Sequence, residues 1–254
     1  MLYEIERKLR GRFEIPVLRP EFGVLLASYP KSGNTWLKFL IANYFNELNC
    51  WYQEINFHNI HYIVPEIRGN RKLKGIVVKK KSPLFLKTHF PHTKYFNNYR
   101  NILLLRDPAD TLRSYYIYLT QEKSINFSNG VDGFLSHWRY GIDGWVKFHK
   151  YWQGNSDCVI HYEDLIQNTY QAVKKVLEFH GVDVIDEALI QAVEKSKSDN
   201  MKKVLHKEGD PRARNKQFEF VGKGKSGQSK DFFTKNQLIK IQNKTKEISN
   251  GFEY

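Results

Sequence analysis

Two cysteines, Cys50 and Cys158, are all that the 254 residues contain. With no CxxC pair and no histidine at ligand spacing, they support neither a disulfide framework nor a zinc site, and a reducing, cytoplasmic setting is expected. No Pro/Gly/Ser-rich linker, internal repeat or low-complexity tract breaks the chain, so a single domain over residues 1–254 is expected. The opening MLYEIERKLRGRFEIPVLRP mixes charges into every short hydrophobic stretch, so neither a secretory leader nor a stable membrane insertion is expected there. Acidic residues are the scarce charge: 27 Asp and Glu against 40 Lys and Arg leave +13. Such a surface favours anions, whether phosphate esters, acidic glycans, nucleic acid or anionic membrane. The two richest basic stretches are RGNRKLKGIVVKKK (Arg68–Lys81) and KKVLHKEGDPRARNK (Lys202–Lys216). Neither has the interleaved aromatics of a strand-stacking platform, so both are expected to be solvated loops and no nucleic-acid partner is expected.

What is present is a globular composition, 41% hydrophobic and 15% aromatic, with a regular alternation of elements. Phe22–Ser28, Ser82–His89, Arg100–Asp107 and Ser156–Asp164 are apolar runs of the kind that form strands buried on both faces, and each ends in polar residues. Between or after them, Thr35–Glu47, Ala109–Tyr118, Gly144–Trp152, Thr169–His180 and Glu187–Lys195 repeat apolar positions near the helical period. The alternation predicts an α/β fold, a central parallel sheet flanked by helices on both faces. Ligands of such sheets bind beyond the carboxyl ends of the strands, where the polar residues here fall.

The first strand runs into LLASYPKSGNTWLKFL (Leu25–Leu40). A strand, a turn containing Gly33 and a helix start bring unpaired backbone N–H groups and the positive end of a helix dipole to one point. Lys31 adds a cation, and Ser32, Asn34 and Thr35 add side-chain donors, which together suit a phosphate or sulfate. An ordinary turn capped by Ser32 or Asn34 would not need Lys31 beside it. A Walker A loop is excluded, because its lysine follows the second glycine whereas Lys31 precedes Gly33.

YPKSGNTW (Tyr29–Trp36) resembles the YPKSGTTW signature of the sulfotransferase family, whose loop holds the 5′-phosphosulfate of 3′-phosphoadenosine 5′-phosphosulfate (PAPS). LRDPADTLRSYY (Leu105–Tyr116) resembles the family's 3′-phosphate segment, with Arg106 and Ser114 in the ligand positions; a structural bridge from Arg106 to Asp107 or Asp110 is the alternative. LKTHFP (Leu86–Pro91) resembles K-[ST]-H-x-P, which implies His89 as catalytic base and Lys87 as the contact to the transferring group. HYEDL resembles YEDL and places Tyr162 near adenine, while Trp36 takes the stacking position; a helix cap at Asp164 and a core role for Trp36 are the alternatives. Ser196 and Met201 match a further cofactor segment in kind. VGKGKSGQSKDFFT (Val221–Thr234) resembles R-K-G-x-x-G-D-W-K-x-x-F-T and carries over Lys223 and Gly224, but Gly222, Gln228 and Ser229 stand in place of Arg, Asp and Trp.

The resemblance implies a P-loop-like sulfotransferase fold and sulfuryl transfer from PAPS, leaving 3′-phosphoadenosine 5′-phosphate. Lys31 and Thr35 would hold the 5′ end, with Ser32, Gly33 and Asn34 completing the loop, and Lys31 would stabilise the departing phosphate. Preorganised cations would supply most of the help, with no metal required. Other readings are a kinase, which would need a magnesium-binding acid at a strand end, and a non-enzymatic polyanion-binding protein. The acceptor is left open between small-molecule, glycan and lipid alcohols. Asn56–Ile67 and Ser124–Tyr140, rich in aromatics and histidines, are candidate lining segments, with lid and core packing as the alternative.

Overall fold

The computed structural model describes residues 23–67, 83–211, 213–215, 218, 221 and 224–252. Phe22 and Ser82 at two expected strand starts, the basic stretch Arg68–Lys81, part of Lys202–Lys216, and Gly222 and Lys223 lie outside the described residues.

Among the described residues four strands form one parallel sheet: β1 (Gly23–Ser28), β2 (Leu84–Thr88), β3 (Arg100–Leu105) and β4 (Cys158–His161), in spatial order β2-β1-β3-β4. The apolar runs of β1 are continuous because each face of the sheet has its own core. Val24 and Leu26 point into one cluster, and Leu25 and Ala27 into the other. Burying a side chain such as Leu26 contributes about 1.5–3 kcal/mol.

Helix α1 (Asn34–Asn49) follows β1, while α2 (Pro108–Ile117), α3 (Gly130–Leu135) and α4 (Ile142–Trp152) lie between β3 and β4. Beyond β4 come α5 (Tyr162–Gln167), α6 (Thr169–Phe179), α7 (Asp186–Lys195), α8 (Ser198–Glu208) and α9 (Lys235–Asn250). Apolar residues of α1, α6 and α7 complete the first core, and those of α2, α4 and α9 complete the second. The expected α/β fold is therefore observed.

Three local expectations change, and one helix, α9, was not expected. Lys202–Lys207 is not solvated loop but most of α8, whose Met201 and Val204 are buried while Lys203 and Lys207 are exposed and Lys202 is half-buried; the apolar spacing at three residues outweighs the basic composition. The last expected strand stops at His161, and Asp164 sits within the first turn of α5 rather than capping it. The expected helix Ala109–Tyr118 begins at Pro108, with Asp107 as N-cap accepting from the Asp110 N–H at 2.8 Å, and continues past Ile117 as a wider turn over Tyr118–Glu122. Finally, α9 opens on a reciprocal cap in which the Thr234 hydroxyl and the Gln237 side chain each satisfy the other residue's backbone N–H.

Candidate active site

The turn after β1 is shaped by two left-handed residues, Lys31 at φ 73° and Gly33 at φ 95°. Gly33 has a second reason to be glycine: a Cβ there would lie 2.4 Å from the Tyr162 ring. The turn leaves the backbone N–H groups of Gly33, Asn34 and Thr35 without an acceptor among the described residues, which is the cradle expected at a helix start. Its side chains divide differently from expectation. Asn34 donates to the Leu26 carbonyl at 3.3 Å and to Ser28 Oγ at 2.9 Å, so its amide ties α1 to β1. Ser32 is 1% exposed and its hydroxyl is buried beneath the turn without a partner. Neither residue uses its side chain as a cap. Asn34 and Thr35 both line the cavity together with Lys31.

That cavity, of about 1230 Å³, opens where the strands end. It is lined by Lys31, Thr35 and Trp36 from the first turn, by Lys87 and His89 after β2, and by Arg106 and Ser114 around the start of α2. Gly33, Asn34, Tyr162, Met201 and Gly224 complete the set of expected residues found there. The His89 ring is held against β1, with Nδ1 2.7 Å from the Ser28 carbonyl. A carbonyl only accepts, so Nδ1 carries the proton and Nε2 is the basic nitrogen. Burial first, and then the Lys87 ammonium, pull the imidazole down to about 3, so it is neutral at physiological pH. Lys87 is itself paired with Glu66 at 3.3 Å. Burial, followed by repulsion from Arg106 and Lys87, lowers Lys31 to about 7, and its Nζ lies 4.9 Å from the centre of the Tyr118 ring. Lys31, Lys87 and Arg106 gather at this end of the cavity, Lys87 paired with Glu66 and Arg106 in long contact with Asp110, and such a concentration of cations suits an anion.

Arg106 stacks over Tyr162 at 4.3 Å and donates to the carbonyls of Lys31 at 3.2 Å and Lys225 at 3.4 Å. Its contact to Asp110 is long, 3.8 Å, and its Nε is buried without a partner. Asp110 instead accepts from the Gly227 N–H at 2.6 Å and the Ser229 N–H at 2.8 Å, anchoring the glycine-rich loop beside the cavity. Trp36 and Tyr162 meet edge to face at 5.9 Å. Ser196 is not in the cavity: it is 0% exposed, its hydroxyl accepts from Asn43, and its carbonyl fixes the Trp36 indole N–H at 2.9 Å. It positions the aromatic wall from behind.

Other lining residues occupy no specified position of a family motif, among them Glu66, Arg113, Tyr118, Glu122 and Lys225. The signal available for Arg113 was its place directly before Ser114 on a helix that starts at the site. Of the two candidate acceptor segments, Asn56–Ile67 contributes His58 and Glu66 to the wall, whereas Ser124–Tyr140 contributes nothing and packs its Phe127 and Phe134 against Tyr116. Glu122, 3% exposed, accepts from the backbone N–H groups of Arg214 and Asn215 and thereby holds the far rim. Among the described residues no group of His, Cys, Asp and Glu is arranged to hold a metal ion, and no helix is long and apolar enough to cross a membrane.

Comparison with known proteins accords with this geometry. Residues 23–252 match the model of the sulfotransferase domain. Bovine (Bos taurus) sulfotransferase 1E1 is 26% identical over 200 residues, covering 72% of this chain and 67% of the relative, so the match spans about two thirds of that protein. Among solved structures, retinol dehydratase in a complex with retinol and 3′-phosphoadenosine 5′-phosphate (PAP) superposes with a TM-score of 0.71 at 17% identity, over 96% of this chain and 85% of that one. Mouse sulfotransferase SULT7A1 complexed with PAP gives 0.66 at 18% identity, over 96% and 88%. At these identities the structural likeness is one of fold.

Proposed function

We propose that this chain, which belongs to the sulfotransferase family, transfers a sulfuryl group from PAPS to a hydroxyl or amine acceptor, with His89 as the general base. The observation that carries the assignment is the His89 ring: its Nδ1 proton is committed to the Ser28 carbonyl, so Nε2 is a lone-pair nitrogen in a cavity that also holds Lys31, Lys87, Arg106 and Ser114.

The donor's chemistry fits the residues present. The unpartnered N–H groups after Gly33, and the buried Nε of Arg106 without a partner, are donors that a phosphorylated nucleotide would satisfy. Lys31 and Thr35 would hold the 5′ end, Arg106 and Ser114 the 3′-phosphate, and Trp36, Tyr162 and Met201 the adenine. PAPS supplies an activated sulfuryl group on a phosphate leaving group. Lys31 balances the charge that develops on that phosphate, and Lys87 the sulfuryl oxygens. His89 orients the acceptor and takes its proton at Nε2. Burial and Lys87 keep the imidazole weakly basic before binding; negative charge brought in by the donor offsets the Lys87 repulsion and favours the protonated ring.

Small-molecule acceptors, a glycan or lipid alcohol included, fit the size of the cavity. Both cysteines are unpaired thiols, which supports placing the protein in a reducing, cytoplasmic setting. A kinase reading is not favoured, because the turn lacks the G-K-[ST] order, Lys31 preceding Gly33, and bulk positive charge alone does not account for a neutral histidine in the cavity. The test is His89→Ala assayed with labelled PAPS and an acceptor panel. Transfer should fall at least about 100-fold while PAP binding stays within a few-fold; full transfer in the variant would remove His89 from its role.

A further inference from the structure

Arg113 lines the cavity beside Ser114, Lys225 and Gln228. Its Nη1 donates to Gln228 Oε1 at 3.0 Å, its guanidinium lies 5.5 Å from the Phe232 ring centre, and its Nε is buried without a partner. No acid among the described residues forms an ion pair with it. Asp110, one turn earlier on the same helix, accepts from the Gly227 and Ser229 N–H groups, one at each oxygen. A half-buried guanidinium whose hydrogen-bonding partner is a neutral amide keeps its full charge, and an orphaned buried donor costs free energy until something accepts from it. Arg106, across Ser114, presents the same anomaly at its own Nε.

We propose that Arg113 is a second guanidinium ligand for the phosphate on the nucleotide's ribose, and that neutral Gln228 is what keeps its charge available. This rests on the reading above that the cavity takes a 3′,5′-bisphosphorylated adenosine. A phosphate dianion has three oxygens to share among Arg106, Ser114 and Arg113, and guanidinium forks match it better than a single ammonium. Gln228 holds the Arg113 side chain in place from the loop that Asp110 anchors, without neutralising it. A carboxylate at the same position would form an ion pair with Arg113 and compete with the ligand. Two of the three departures in this loop thus become one exchange: the cation missing at Gly222 is supplied from α2, and the acid missing at Gln228 is the condition for its use.

The test compares calorimetric affinities for adenosine 3′,5′-bisphosphate and adenosine 5′-monophosphate in the wild type, Arg113→Gln and Gln228→Glu, with thermal midpoints recorded for each. Both variants should weaken the bisphosphate about 10- to 100-fold, the range of charge-assisted hydrogen bonds, and leave the monophosphate within about twofold. Gln228→Glu is the informative variant, because it keeps the arginine and changes only its compensation. Equal losses for both nucleotides, or a bisphosphate affinity unchanged in either variant, would overturn the role of Arg113. A wild-type protein that does not prefer the bisphosphate at all would instead overturn the nucleotide reading itself.

Discussion

Gly33→Ala should be among the most damaging single-methyl additions to this protein, and the structure gives the size of the effect. The residue sits at φ 95°, where a side chain costs about 1–2 kcal/mol. Its new Cβ would lie 2.4 Å from Tyr162 Cδ2 and 2.6 Å from Cε2, and relieving such overpacking costs roughly 1–3 kcal/mol. The ring has nowhere inexpensive to go: it is 7% exposed, with the Arg106 guanidinium on its face and Trp36 at its edge. The sum is roughly 2–5 kcal/mol, a fall in melting temperature of about 4–20 °C for a domain of this size. Thermal melts of the wild type, Gly33→Ala, Tyr162→Leu and the double variant separate the two causes. Tyr162→Leu removes the clashing ring edge, so the double variant should lose about 1–3 kcal/mol less than the two single losses added together, with the backbone cost remaining. A Gly33→Ala protein melting within about 1 °C of wild type, or strict additivity, would refute the reasoning.

Two further tests address electrostatics and the loop. With Lys31 lowered to about 7 by burial, Arg106 and Lys87, a bound anion must raise its proton affinity, so nucleotide affinity is highest below pH 7 and declines as pH climbs from there toward the bound-state value. Calorimetry at pH 8 in two buffers of different ionisation enthalpy should record uptake of up to about one proton, abolished in Lys31→Arg because a guanidinium stays charged; proton release, or no uptake in the wild type, would sink this account. Asp110→Asn replaces a buried carboxylate that receives two backbone N–H groups, so hydrogen exchange across 224–229 should accelerate at least about tenfold, as expected for loss of about 1.5–3 kcal/mol; unchanged exchange would show that the loop is held by something else.

The sheet and its ligand edge were legible because a strand covered on both faces must be apolar at every position, and polarity can return only where it ends. That constraint put Lys31, His89, Arg106 and Tyr162 just beyond strand ends, and the family resemblance singled out His89, Arg106 and Tyr162 there. The sequence likewise announced the tight turn, since a lone glycine between a strand and a helix with a lysine beside it has few other uses. Helix α8 was obscured by its lysines, and α9 by sparse apolar positions, although Thr234 and Gln237 carried the spacing of a reciprocal cap. What no linear pattern could decide is which polar atoms are spent inside the protein. Asn34 and Ser196 look like donors for a ligand, yet Asn34 donates to the Leu26 carbonyl and Ser28 Oγ, and Ser196 accepts from Asn43 and holds the Trp36 indole, while Ser32 is buried with its hydroxyl unpartnered. Arg113 is the converse, an unremarkable helix residue whose charge matters because Asp110 is already occupied and Gln228 is neutral. Composition and period fix where elements lie, since those depend on burial along one chain. Whether a donor is still available depends on what the remote segments bring within 3 Å of it, and only the folded arrangement sets that.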